Sequence, residues 1–177
     1  EAIKLKELLF ESCYFGDGKD GYRYATFELT RNCRNIEIIQ EIIYKIREKK
    51  KIEFENSNRI HKLETFSIED LAEKIIQDIK YLKDEYVSNK KITILYNKKE
   101  NAEKAILLVN KKYKILKYDI SLEDDISYSS VQGFKGLEND IILYIKDGND
   151  KYGKVDYVAI SRAKVICYIY ILNNQER

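Results

Sequence analysis

The sequence predicts an α/β fold: a mostly parallel sheet with helices on both faces. Three observations predict it. Segments of strand character alternate with segments of helical period along most of the chain. Several of the strands, ITILY and IILYI among them, are apolar at successive positions, as strands covered on both faces must be. The helical segments carry one apolar stripe each, which suits a layer packed against a sheet.

Each element can be justified in order. Residues 1–24 are mixed in character and end in the turn-rich GDGKDG, a lead-in. ATFELT (25–30) alternates as a strand does. From Asn35 the period changes. Ile36, Ile39, Ile43 and Ile46 recur at helical spacing, Ile38 and Ile42 widen the stripe, Asn35 is the expected N-cap, and the lysines at 49–51 close the helix. Ser67 and Asp70 form a capping box for a second helix, with Ile68, Leu71, Ile75, Ile79, Leu82 and Tyr86 along one face. ITILY (92–96) follows as a strand. Asn97 and Glu100 read as another capping box, opening a helix that buries Ala102, Ala105, Ile106 and Val109. YKILKY, ISYSSV and IILYI read as strands, VDYVAISRAK as a short helix and VICYIYIL as the last strand.

At 177 residues the chain suits one well-filled core. Its charged fraction of 35% nearly balances, leaving a net charge of +2, so any nucleic-acid surface must be a local patch. Cys13, Cys33 and Cys167 show no CxxC spacing, and with one histidine they make no metal set. Reduced thiols in an intracellular, cytoplasmic protein are expected. No run approaches the roughly 18 apolar residues of a membrane span, and no signal peptide opens the chain. Methionine is absent, which suggests a piece of a longer protein. The expected division is a lead-in over 1–24, one domain over 25–172 and a tail over 173–177.

Gly16 and Gly21 have P-loop spacing, but Tyr22 and Arg23 follow where Lys-Ser or Lys-Thr is needed, so GDGKDG reads as a turn. VQGFKGLEND is richer. Its glycines, Gly133 and Gly136, allow close backbone approach, Lys135 offers a point charge, and Glu138 can accept a hydrogen bond. From chemistry alone an ordinary turn and a ligand loop are equally open. RNCRN puts Arg31 and Arg34 beside a helix N-terminus, where cations are unfavourable unless an anion is present. In VAISRAK, Arg162 sits on a mostly apolar segment, either snorkelling or facing a ligand. In parallel sheets ligands collect at the carboxyl ends of strands, and all three segments are expected near such ends. Together they suit a polyphosphate.

Read in order, LTRNCRNIEII, SVQGFKGLENDIIL and YVAISRAKVICYI resemble motifs IV, V and VI of the UvrD-like superfamily 1 helicases. The resemblance covers about 25–172 and implies the second RecA-like motor domain. It further implies that Arg162 is the motif VI arginine finger and Arg34 the motif IV arginine, both reaching the γ-phosphate of ATP-Mg²⁺. Lys135, Gly136 and Glu138 match the nucleotide side of motif V, and Ser130 and Gln132 the part that faces single-stranded DNA or RNA. A first RecA-like domain would bring Walker A and Walker B. Neither is present here, so this chain alone is not expected to turn over ATP. Cys33 stands where many members have an adenine-stacking tyrosine, and Gln132 replaces a common histidine. The short stretch between YKILKY and ISYSSV leaves no room for the domain that large members insert there. The alternative is a catalytically silent nucleic-acid-binding module with the same fold.

Overall fold

The computed structural model describes residues 35–52, 58–118 and 124–173. Among the described residues six strands make one sheet in the order β1-β6-β5-β2-β4-β3, and every pairing between them is parallel. They are β1 (Ile60–Thr65), β2 (Ile92–Tyr96), β3 (Ile115–Lys117), β4 (Ile126–Ser130), β5 (Asn139–Asp147) and β6 (Ala163–Leu172). The α-helices among the described residues are α1 (Glu37–Arg47), α2 (Ile68–Asp84), α3 (Lys99–Asn110) and α4 (Lys154–Ile160). The expected fold class is the one observed.

Alternate strand residues feed two cores. Ile92, Ile94, Leu143 and Ile145 pack with Leu71, Ile75 and Ile79 of α2 and Ala102, Ala105 and Val109 of α3. Leu95, Ile142, Tyr144 and Ile169 pack with Ile39, Ile42 and Ile46 of α1 and Ala159 and Ile160 of α4. A strand pressed by helices on both sides has no face left for polar residues, which is why ITILY is buried at all five positions.

Several expectations change. Asn35 does not cap α1: the N-cap is Ile36, without a side-chain bond. Asn97 does not cap α3, whose N-cap is Lys98. Its amide instead ties β2 to β5, accepting from Asp147 N at 2.8 Å and donating to Asp147 O at 3.2 Å. Ser67 does cap α2, accepting from Asp70 N at 3.0 Å. Tyr86 is not on the buried face. It follows the helix end at φ +60° and is 97% exposed. VDYVAISRAK is helical only to Ile160, because Ala163 and Lys164 already belong to β6. Strand β1 was not anticipated; as the sheet's edge among the described residues, it alternates and reads as polar. ATFELT, Arg31, Cys33 and Arg34 lie outside the described residues.

Candidate functional site

Parallel strands force each connection to carry the chain from one edge of the sheet to the other. The connection from β4 to β5 is residues 131–138, with no helix in it. It leaves the carboxyl end of β4 at Ser130, whose Oγ accepts from Gly133 N at 3.0 Å. Gly133 sits so close that a Cβ there would be 2.8 Å from Ser129 Oγ. Val131 and Phe134 then anchor in the core shared with α1 and α4, and the Phe134 ring meets Tyr118 edge-on at 5.1 Å. Gly136 takes φ +87°, a left-handed conformation that a side chain would strain. The segment ends at Glu138, on the amino edge of β5.

The amino edge is where distant parts of the chain meet. The turn after α4 places Arg162 just before β6, with Arg162 N donating to Ala159 O at 3.1 Å. Its guanidinium donates through Nε to Val158 O and through Nη1 to Leu137 O, both at 3.2 Å. Two bonds to two different segments fix the plane of the fork. Next to it, Glu138 pairs with Lys164 at 3.0 Å. Asn139 N donates to Arg162 O at 3.0 Å, and the Asn139 amide donates to Lys90 O and Thr93 Oγ1, both at 2.9 Å. From the other end of the chain, Asn35 donates its buried side-chain amide to Ser161 O at 3.1 Å and to Ala163 O, on either side of Arg162.

No protein-family model matches the chain, and no curated protein matches it. Among solved structures it is similar to the C-terminal domain of a possible DNA helicase from Lactobacillus plantarum WCFS1. The TM-score is 0.61 at 14% identity, covering 81% of this chain and 89% of that one. The two share a fold.

Against that helicase-like fold the sequence-derived site divides in two. Glu138 and Arg162 come together at the amino edge, contrary to the expectation that these segments gather at carboxyl ends. A segment that immediately precedes a strand must lie at the strand's start, and both KGLE and SRA do. Ser130 and Gln132 lie at the carboxyl end of β4, and Lys135 and Gly136 lie on the connection between the edges. Arg34 falls outside the described residues, so its meeting with Arg162 is not seen. Asn35, Asn139 and Lys164 were missed. The available signal was adjacency, since each stands one or two residues from a residue already singled out.

A second buried polar group supports α4. Asp156 accepts from Tyr144 Oη at 2.8 Å and from Gly153 N at 2.7 Å, and it pairs with the buried Lys146 at 3.5 Å. Burial, then the neighbouring Asp156 charge, holds the Tyr144 hydroxyl far above its ordinary pKa, so it remains a donor. Among the described residues no group of three or more His, Cys, Asp or Glu side chains is placed to hold a metal, and no helix is long and apolar enough to cross a membrane.

Proposed function

We propose that this chain is the second RecA-like domain of a superfamily 1 helicase or translocase of the UvrD-like kind. It would act with a Walker-bearing partner domain on ATP-Mg²⁺ and single-stranded nucleic acid. One observation carries the reading: residues 35, 138 and 162, far apart in sequence, converge on one edge, with Arg162 bonded to the carbonyl beside Glu138. The donor set fits the phosphate end of a nucleotide and not a whole one. It offers an oriented guanidinium and a lysine-carboxylate pair, but no Walker lysine and no hydroxyl for magnesium.

In this reading the bound nucleotide supplies the phosphoryl group to be transferred. Arg162 meets the charge that develops on that group, and its two carbonyl bonds hold it in place beforehand, so little reorganisation is needed. Asn35 and Asn139 position the peptide on which Arg162 stands. Ser130 and Gln132 offer the polar contact for the single strand at the opposite edge.

The test is Arg162→Ala in a chain joining this domain to its Walker-bearing partner. Nucleic-acid-stimulated ATPase should fall by about 10³-fold or more, while loss of the two carbonyl bonds lowers the thermal midpoint and leaves the domain folded by circular dichroism. Arg162→Lys should not rescue, because a lysine cannot reproduce the fork. Activity within threefold of wild type for the alanine variant overturns the arginine-finger assignment.

A further inference from the structure

On the α2 side of the sheet, toward the amino end of β1, residues of β1, β6 and α2 line a cleft of about 470 Å³ that the motor reading does not use. That volume lies in the range of small-molecule sites. One wall is a ladder of parallel rings running across two strands. His61 stacks on Tyr168 at 4.4 Å with planes 12° apart, and Tyr168 lies 6.3 Å from Tyr170 with planes 10° apart. His61, the outermost ring, is on β1, the edge strand among the described residues. The facing wall is α2, which presents Tyr81 at 58% exposure and Asp78.

Asp78 is the chemical focus. One carboxylate oxygen, Oδ2, accepts the Tyr170 hydroxyl at 2.6 Å. The other receives no hydrogen bond from the described residues. Burial also disfavours the charged form of this group. A desolvated acceptor between aromatic walls suits a flat ligand that brings its own N–H donor. Arg59 and Glu85 both line the cleft with opposite charges, so the rim favours neither a cation nor an anion and a neutral ring is not opposed.

We propose that this cleft binds a neutral aromatic heterocycle bearing an exocyclic amino group, the chemistry of an aminopurine or aminopyrimidine base. The ring extends the stack from His61 beneath Tyr81, and its amino group donates to Asp78. The inference does not rest on the motor reading, and its ligands need no phosphate, so it can fail or hold separately.

His61 is the chain's one histidine, so its imidazole C2–H resonance is a clean reporter in the full 177-residue chain. Titration with adenosine should move that resonance upfield and saturate. Purine riboside, which lacks only the amino group, should bind at least tenfold more weakly, because the site's acceptor is then left unpaired. By calorimetry, His61→Ala should lose at least tenfold in adenosine affinity, whereas His61→Phe, which keeps a ring, should stay within threefold. Circular dichroism confirms that both variants are folded. The proposal is overturned by a non-saturating shift, by purine riboside binding within twofold of adenosine, or by unchanged affinity in His61→Ala. Equal competition by free arginine overturns it in favour of a cation site.

Discussion

The buried pair under α4 makes a directional prediction. This helix has seven residues, too few to persist alone, and it leads directly into Arg162. Asp156 holds its first turn by accepting from Gly153 N, and it also accepts from Tyr144 Oη, so it keeps two donors when Lys146 is removed. Lys146 is only 3% exposed, and its Nζ also lies 5.5 Å from the centroid of the Tyr152 ring. Breaking a buried pair costs about 3–5 kcal/mol when it strands a charge. Asp156→Asn strands the ammonium and should therefore cost about 3 kcal/mol, lowering the thermal midpoint by roughly 10 °C. Lys146→Met fills the same space, leaves a carboxylate with two hydrogen bonds, and should cost about 1 kcal/mol. The double variant should be more stable than Asp156→Asn alone, with a coupling energy of about 2 kcal/mol. Urea unfolding followed by circular dichroism measures all three. If Lys146→Met costs more than Asp156→Asn, or if the two effects simply add, the account of the pair is wrong.

Other outcomes follow from single features. Tyr86→Gly should stabilise the domain by about 1 kcal/mol, since glycine takes positive φ freely and little buried surface is lost; a destabilised variant would refute this. The raised pKa of Asp78, caused first by burial, means that the folded state holds this proton more tightly than the unfolded state. Its contribution to stability is therefore present at low pH and is lost as pH rises through the folded pKa. Wild type should gain on Asp78→Asn as pH falls from neutrality toward the ordinary value of 3.8, while the Tyr170 hydrogen bond, then His61 and Lys74, all lowering that pKa, shrink the effect. A stability difference that is flat with pH would count against it. Burial pushes the Cys167 thiol up to about 12, so in a Cys13→Ser, Cys33→Ser background it should react with a disulfide reagent only on unfolding. Rapid labelling of the folded chain would contradict the burial. Single-stranded DNA binding by the domain should weaken at least tenfold between 50 and 200 mM salt in anisotropy titrations, and salt-independent binding would argue against phosphate contacts.

The sheet was legible where burial is uniform. ITILY and IILYI declare themselves because no face of a central parallel strand meets water, and α2 declares itself through Ser67 and its isoleucine stripe. Strand β1 was not legible because an edge strand mixes His61, Lys62 and Glu64 with Leu63, a pattern shared with any solvated segment. Two asparagines misled for one reason. An amide can cap a helix or bridge two strands, and only the fold decides. At Asn35 and Asn97 the fold brings the carbonyls of residues 161, 163 and 147 within reach, and those bonds satisfy buried groups that a surface cap would not. Tyr86 continued the helical period by count alone, although the helix ends at Asp84. That Glu138 and Arg162 each stand at the start of a strand could be read from the apolar runs that follow them. What the sequence could not supply was the adjacency of those two strands, which pair from Asn139 and Ala163 with a register shift before Ile141.

The helix-free connection between β4 and β5 has a mechanical meaning. Ser130 lies level with Tyr96, and Tyr96 with Ile145, so Asn139 stands six residues down the sheet and two strands across. At about 3.3 Å per residue and 4.8 Å per strand that is a span of roughly 22 Å. The chain covering it can stretch to only about 31 Å, and turns already consume part of that length. Those turns take up the roughly 9 Å of difference, so the strap reaches its strand without a helix to carry it. Lengthening it by a few flexible residues would leave both ends intact while loosening the link between Ser130 and Glu138.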